Sequence, residues 1–192
     1  MRFINKNTIK LDKVINELDK FILKFIKILE RHSEYVIVSG YVAIVLGRNR
    51  ATDDIDIIVP KMDKDKLKSL YKDLVNNGYW CLNSSKLDDL YGLLISKHSI
   101  RFAVKPDTSP NVELKFSKDF YDDLALKNPL IIRINNKELK ASFLELQIAY
   151  KEEVLKSNKD LEDARYIRLI AKGKLDENLI RLMKKKIKKN KR

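Results

Sequence analysis

The chain has 192 residues, the length of one domain or of one domain with a small addition. Hydrophobic residues make up 44% of it, which is enough for a core, and its formal net charge of +13 favours polyanionic partners such as nucleic acid or nucleotides. The single cysteine excludes an intramolecular disulfide, and because neither a signal peptide nor a long apolar run is evident, a cytoplasmic protein without a membrane segment is expected.

Apolar periodicity predicts the elements of the first third of the chain. Residues 10–31 place apolar side chains at steps of three and four, which is typical of an amphipathic helix. The apolar run 35–38 predicts a buried strand, and 42–46 predicts a short helix. Asp54–Val59 alternates acidic and aliphatic residues before a proline, a pattern that predicts a strand.

The remaining residues continue this mixture and then become helical. The predicted elements are a helix at 63–77, strands at 79–82, 93–96, 100–104 and 111–116, a helix at 118–126, a hairpin at 130–139, and helices at 142–155, 159–172 and 177–189. Ser142 and Glu145 have the spacing of a capping box at the first of the last three helices. We therefore predict an α/β (α+β) protein, with a mixed sheet flanked by helices in residues 1–140 and a helical region with a basic tail in residues 141–192.

Two acidic residues on the predicted strand carry the first chemical signal. Side chains two apart on a strand point to the same face, so Asp54 and Asp56 point together while Ile55 and Ile57 fill the other face. Two adjacent carboxylates repel each other, and a hard divalent cation such as Mg²⁺, which prefers carboxylate and phosphate oxygens, compensates them. An exposed acidic strand face is the alternative interpretation of the pattern.

A second signal lies fourteen residues earlier. Ser39 and Gly40 stand between an apolar strand and an apolar helix, where free backbone N–H groups and the hydroxyl favour phosphate. An ordinary tight turn is the alternative. A phosphate-binding turn together with a metal-binding carboxylate pair would form the two halves of a nucleoside triphosphate site.

These residues resemble a known family. The run VSGYVAIVLGRNRATDDIDIIV is similar to the motif of polymerase-beta-like nucleotidyltransferases, in which Gly-Gly or Gly-Ser precedes D-x-D by about ten residues. The resemblance is closest to the minimal nucleotidyltransferases and to the toxin type found in abortive-infection systems. Ser39 stands where the family usually has its first glycine.

The resemblance extends to later residues. In the segment 111–116, Glu113 fits the slot of the family's third acid, which is more often Asp. A half-exposed strand residue paired with a lysine is the alternative interpretation of Glu113. An apolar helix with a lysine, followed by a basic residue and D-L-x-D, is matched by Lys151, Lys159, Asp160 and Asp163.

The resemblance implies a metal-dependent transfer of a nucleoside monophosphate from an NTP, such as ATP, to a hydroxyl group. It implies Asp54, Asp56 and Glu113 as catalytic residues and as ligands of Mg²⁺, or of Mn²⁺ in its place. The residues that it implies for nucleotide binding are Ser39, Gly40, Arg50, Thr52 and Lys151.

Several functional hypotheses remain open. The basic charge favours RNA or a protein as acceptor, whereas a small cationic acceptor such as an aminoglycoside favours an acidic cleft. The alternatives are an inactive nucleotide- or nucleic-acid-binding module of the same fold, and a toxin or antitoxin that acts with a partner protein. No P-loop or dinucleotide-binding motif is present, and the two histidines lack the spacing of zinc ligands.

Overall fold

The computed structural model describes residues 1–190, which contain nine strands in one mixed sheet, eight α-helices and one π-helical turn. The strands are β1 (Arg2–Asn5), β2 (Thr8–Leu11), β3 (Val36–Ile37), β4 (Asp54–Val59), β5 (Tyr79–Cys81), β6 (Ile100–Val104), β7 (Asn111–Phe116), β8 (Leu130–Ile134) and β9 (Lys137–Ala141). The helices are α1 (Glu17–Leu29), α2 (Gly40–Val45), α3 (Lys64–Asn76), α4 (Leu87–Ile95), α5 (Phe120–Lys127), α6 (Leu144–Tyr150), α7 (Asn158–Ile170) and α8 (Glu177–Asn190), and the π-helical turn is Lys151–Leu155. The predicted fold class is confirmed.

The sheet brings distant parts of the chain together at its centre. Its strand order is β1-β2-β8-β9-β3-β4-β7-β6-β5. The pairs β2–β8, β3–β9 and β4–β7 are parallel, and the other five are antiparallel. The strand with the two acids, β4, therefore lies between β3 and β7.

The side chains on the two faces of β4 pack into two different clusters of apolar residues. Ile55, Ile57 and Val59 are fully buried in the larger cluster, which includes side chains of α1, α2, α3 and α4. Ile58 belongs to a smaller cluster on the opposite face, with side chains of α5, α6 and α8. Since Asp54 and Asp56 share the face of Ile58, they face the side on which the later helices pack.

The N-terminal prediction of one helix over 10–31 is wrong at its start. A hairpin of β1 and β2 precedes the helix, and β2 pairs with β8 over four residues. Helix α1 begins only after Asn16, whose side chain accepts a hydrogen bond from the Asp19 backbone N–H at 2.8 Å while Asp19 accepts one from the Asn16 N–H at 3.0 Å. The alternation of buried Ile9 and Leu11 was masked by the helical periodicity that follows it.

Two further local predictions are wrong. The predicted strand 93–96 belongs to α4, where Leu90 and Leu94 are buried four residues apart on one helical face. The predicted capping box does not form at Ser142, because α6 begins after Phe143 and the Glu145 carboxylate accepts a hydrogen bond from the Asp176 backbone N–H at 3.1 Å. Glu145 therefore fixes the loop before α8.

The basic C-terminal segment is ordered as far as the structure describes it. Residues 184–190 lie in α8, and Ile187 is only 2% exposed. Lys184 pairs with Glu152 at 2.8 Å and with Glu153 at 3.1 Å. Ile187 therefore belongs to the smaller apolar cluster although lysines dominate this segment, and residues 191–192 lie outside the described range. None of the described helices is both long enough and apolar enough to cross a bilayer.

Candidate functional site

The parallel pairing of β4 and β7 places the predicted acids side by side. Asp54 pairs with Asn111, and Asp56 pairs with Glu113. Paired residues on neighbouring strands share a face of the sheet, so all four side chains belong to the face of the smaller apolar cluster. Asp54 and Asp56 are half-buried, and Asp54 accepts a hydrogen bond from the Thr52 hydroxyl at 3.2 Å.

The turn before α2 has a backbone conformation that a side chain disfavours. Ser39 has φ of 63° and ψ of −134°, a combination that glycine adopts readily and other residues adopt at a cost of about 1–3 kcal/mol. Gly40 follows it, and a Cβ atom at Gly40 would overlap the guanidinium of Arg50. This turn therefore requires a residue without a side chain at Gly40, and it stores strain at Ser39.

Glu113 is held by two cations. Arg101, its partner across the antiparallel β6–β7 pair, lies 2.6 Å from Oε1, and Lys115 Nζ lies 3.2 Å from Oε2. Burial alone would raise the pKa of Glu113, but the hydrogen bonds from Arg101 and Lys115 outweigh it and hold the pKa below its usual value. The carboxylate is therefore ionised at neutral pH.

Lys115 also contacts the acid pair of β4. Its Nζ lies 2.5 Å from Asp56 Oδ1. Burial lowers the pKa of Lys115, but Asp56 and Glu113 more than compensate and raise it above its usual value. Lys115 is not among the predicted site residues; its position two residues after Glu113, on the same face of the strand, was the available signal.

A cavity of about 160 Å³ opens beside these groups. Four lysines and two aspartates line it, namely Lys97, Lys115, Lys118, Lys151, Asp56 and Asp122. The remaining wall is mostly apolar and comes mainly from β4, β7, α5, α6 and the residues that follow β3, which include Ser39. The cavity therefore combines positive charge suited to phosphates with an apolar surface suited to a planar ring.

Asp122 is a second acid in the cavity wall that the sequence analysis missed. It is buried, and the Lys118 backbone N–H donates to its Oδ2 at 3.1 Å. Burial, together with the nearby charge of Asp119, raises the pKa of Asp122 despite that hydrogen bond. Its sequence context, the first turn of a short amphipathic helix, gives no sign of this environment.

The predicted phosphate-binding cations Arg50 and Lys151 meet on one buried carboxylate. Asp163 is fully buried, and Arg50 donates to both of its oxygens at 3.1 and 3.0 Å. Lys151 Nζ lies 2.8 Å from Asp163 and 3.2 Å from Asp160, and Arg48 also donates to Asp163. This cluster joins the loop before β4 to α7, so these charges support the structure whatever else they bind.

The backbone change after α6 positions Lys151. The helix becomes a π-helical turn at Lys151 and ends at Lys156, whose φ is 58°. Wider turns of this kind redirect side chains and are frequent at functional sites. Lys151 is only 1% exposed, yet it lines the cavity as well as contacting Asp163.

The Asp54 end of the site offers oxygen donors of the kind that a divalent cation requires. Asp54 and Asp56 offer carboxylates on one face, and Asn111 Oδ1, next to Asp54 in the strand register, is buried without a hydrogen-bond partner among residues 1–190. Carboxylate and amide oxygens are suitable ligands for Mg²⁺ or Mn²⁺, so this end of the site fits a cation. Within the described residues no three His, Cys, Asp or Glu side chains form a metal-binding group, and Glu113 is engaged by Arg101 and Lys115.

The predicted site residues are thus partly brought together. Ser39, Asp56 and Lys151 line the cavity, and Asp54 and Glu113 lie beside Asp56 in the β4–β7 register. The other three are not part of the cavity lining; they are Gly40, Arg50 and Thr52.

Comparison with known proteins finds similarity in structure only. No family model matches the chain, and no curated protein matches its sequence. Among solved structures, the crystal structure of ANT(2'')-Ia in complex with adenylyl-2''-tobramycin is similar with a TM-score of 0.50 and 12% identity, over 89% of this chain and 97% of that one. The solution structure of ANT(2'')-Ia gives a TM-score of 0.50 and 15% identity, over 88% and 92% of the two chains.

A third similar structure is an antigenic nucleotidyltransferase-like protein from Paracoccidioides brasiliensis, with a TM-score of 0.50 and 18% identity over 84% of this chain and 82% of that one. Because the identities are low, the similarity concerns the course of the backbone and not the chemistry. The chain therefore has the fold seen in these nucleotidyltransferases.

Proposed function

We propose that this protein is a Mg²⁺-dependent nucleotidyltransferase that transfers a nucleoside monophosphate from an NTP to a hydroxyl group of a macromolecule, RNA or protein. The observation that carries the proposal is the pair Asp54 and Asp56 on one strand face, next to a cavity with four lysines and an apolar wall. The shared fold with nucleotidyltransferases supports it.

Asp54 and Asp56 would hold the cation, with Asn111 as a further oxygen donor. When bound, Mg²⁺ would neutralise the triphosphate and align it for in-line displacement. The acceptor oxygen forms a bond to the α-phosphorus, the bond to the bridging oxygen breaks, and pyrophosphate leaves with the electron pair. The acceptor proton passes to Glu113 or to water.

The remaining cavity residues would bind the nucleotide. Ser39 and the N–H groups that follow it suit phosphate oxygens, and Lys151 adds positive charge to the cavity lining. Arg50 would act through Gly40, against which its guanidinium packs, and Thr52 through the hydrogen bond that it donates to Asp54. The apolar wall formed by α5 and α6 would accept the base.

The charge of the cavity guides the choice of acceptor. ANT(2'')-Ia is described in complex with an adenylylated tobramycin, and tobramycin is a polycation. The cavity of this chain has four lysines and two aspartates, and like charges repel a cationic acceptor. We therefore favour a macromolecular acceptor, whose own backbone is anionic in the case of RNA.

The decisive experiment is incubation of the full chain with each α-³²P-labelled NTP, Mg²⁺ and either total RNA or a protein extract. Label is expected in a macromolecular band with wild-type protein and at background with Asp54→Asn. A parallel reaction with tobramycin, resolved by thin-layer chromatography, is expected to give no labelled product. Label in tobramycin alone would contradict the macromolecular acceptor, and no label in any arm would contradict the enzyme.

An inactive nucleotide-binding module is the second candidate. It is favoured by the two cations on Glu113, which reduce the basicity of that carboxylate. Nucleotide binding by equilibrium dialysis, without transfer in any arm of the labelling experiment, would support it.

A further inference from the structure

The ammonium of Lys115 lies between two carboxylates that belong to different strands. Its Nζ is 2.5 Å from Asp56 Oδ1 and 3.2 Å from Glu113 Oε2. The side chain is 32% exposed and lines the cavity. Lys115 therefore has one side on the acids and the other toward the space in which the proposed function puts the triphosphate.

Glu113 has both oxygens engaged in ion pairs. Arg101 binds Oε1 through Nη2 at 2.6 Å and Nε at 2.7 Å, and Lys115 binds Oε2. A carboxylate in this state has little capacity left for a divalent cation, because direct coordination would require it to release at least one charge-assisted hydrogen bond. Glu113 is thus arranged to hold Lys115 in place.

With Arg101 and Lys115 in place, one divalent cation gives the site the same net charge that two divalent cations would give without them. Three carboxylates with two divalent cations would carry one net positive charge. The same three carboxylates with Arg101, Lys115 and one divalent cation carry the same net charge. Before a triphosphate binds, a second divalent cation in addition to both side chains would leave a net charge of three, which is unfavourable in a half-buried site.

We propose that Lys115 is a catalytic residue that contacts the reacting phosphate and takes the place of a second metal ion, so that this site uses one divalent cation, held by Asp54 and Asp56, with Glu113 as the residue that positions Lys115. The inference rests on the proposed function and specifies its metal requirement. A fixed ammonium stabilises the charge that develops on the transferred phosphate without having to be recruited from solution. The acceptor proton then passes to water, since Glu113 is committed to Lys115 and Arg101.

Metal counting tests this without turnover. The full chain is dialysed to equilibrium against Mn²⁺ and inorganic triphosphate, a probe with the phosphates common to every NTP, and the excess Mn²⁺ retained with the protein is measured. One Mn²⁺ per chain is expected for wild type and for Lys115→Arg, which keeps the charge. Two are expected for Lys115→Met, because Asp56 Oδ1 and Glu113 Oε2 lose their ion pairs with Lys115 and can then coordinate a second cation. Lys68→Met, which changes an exposed lysine of α3 outside the cavity, is the matched control and should retain one.

The Mn²⁺ affinity of Glu113→Gln provides an independent test, which does not require Lys115→Met to fold. Its Mn²⁺ dissociation constant should stay within about twofold of wild type, whereas loss of a true ligand typically weakens metal binding by about 10-fold or more. Any of three results would overturn the inference and leave the proposed function standing. These are two Mn²⁺ per wild-type chain, one Mn²⁺ per chain of a folded Lys115→Met variant, and tenfold weaker Mn²⁺ binding by Glu113→Gln. No retained Mn²⁺ in wild type would overturn both.

Transfer kinetics add a second readout. Lys115→Met should lower the transfer rate by about 10²-fold or more, as expected for loss of a preorganised charge at the reacting phosphate, and high Mg²⁺ should restore part of the rate. Lys68→Met, outside the cavity, should leave it within about twofold of wild type. A Lys115→Met rate equal to that of wild type at low Mg²⁺ would overturn the role given to Lys115.

Discussion

At the scale of single residues, the site combines two costs that folding alone does not explain. Ser39 holds a backbone conformation that favours glycine, and Asp54 and Asp56 place two like charges on one strand face. Local costs of this kind tend to persist where function requires them. Ser39 and Asp56 both line the cavity.

The cost at Ser39 can be measured directly. Ser39→Gly and Ser39→Ala both remove the hydroxyl, but only glycine relieves the positive φ. Ser39→Gly should be more stable to urea than Ser39→Ala by about 1 kcal/mol, the lower end of the strain of such a conformation. Equal unfolding midpoints for the two variants would mean that the turn relaxes at no cost.

The two aspartates should respond differently to neutralisation. Asp54→Asn removes a charge whose described contact is the Thr52 hydroxyl, so unfolding free energy should change by less than about 0.5 kcal/mol while transfer is lost. Asp56→Asn also removes the ion pair with Lys115, so it should lose transfer and some stability. Thermal unfolding and the labelling assay check both; an Asp54→Asn variant with wild-type transfer would remove Asp54 from the metal site.

At the scale of elements, α8 is a packed helix with one charged face. Ile180, Met183 and Ile187 are buried, and Lys184 pairs with two glutamates of the π-helical turn. The hydrogen bonds from Lys184 and Arg168 outweigh burial and lower the pKa of Glu152. Some lysines of this helix therefore form ion pairs that hold it against the π-helical turn, and others face solvent.

Removal of the C-terminal segment should consequently destabilise the fold. Ile187→Ala should lower the free energy of unfolding by about 2–5 kcal/mol, the usual cost of truncating a buried aliphatic side chain. Lys185→Ala, an exposed neighbour on the same helix, is the control and should change it by less than about 0.5 kcal/mol. Similar urea midpoints for the two variants would show that α8 does not contribute to the core.

At the scale of the whole molecule, one buried acid joins the first half of the chain to the last helices. Asp163 of α7 binds Arg48 and Arg50 from the loop before β4 and Lys151 from the π-helical turn. Asp163→Asn would leave these cations partly unpaired and should cost about 3–5 kcal/mol at pH 7. Urea unfolding of the two proteins measures the difference.

The pH dependence of that difference has a definite sign. Burial would raise the pKa of Asp163, but hydrogen bonds from Arg50 and Lys151 prevail and lower it. A carboxyl group whose pKa is lower in the folded state than in the unfolded state stabilises the fold fully above its unfolded pKa, about 3.9. That stabilisation is lost as the pH falls through the folded-state pKa. The gap between wild type and Asp163→Asn should therefore be constant from about pH 7 to 5 and shrink below about pH 4. A gap that widens in acid would contradict the assignment.

The overall charge of +13 should appear as salt-dependent binding to RNA. Lys185, Lys186 and Lys189 are exposed on α8, so their simultaneous replacement by Gln should preserve folding and reduce the slope of log affinity against log salt by up to about 2 units for single-stranded RNA. Filter binding at several salt concentrations measures the slope. An unchanged slope would show that these three lysines do not contact RNA.

The sequence by itself determined the fold class, β4 with both acids on one face, the turn at Ser39 and Gly40, and most of the helices. These features follow from short-range periodicity and from residue types that restrict the local backbone. Only the tertiary structure decided the partners of the charges: that Arg50 and Lys151 meet on Asp163, that Lys115 stands between Asp56 and Glu113, and that Ile187 is buried. Such contacts join residues far apart in the chain, such as Lys115 and Asp56, and charge patterns carry no local signal of their partner because Coulomb attraction acts through space and not along the sequence.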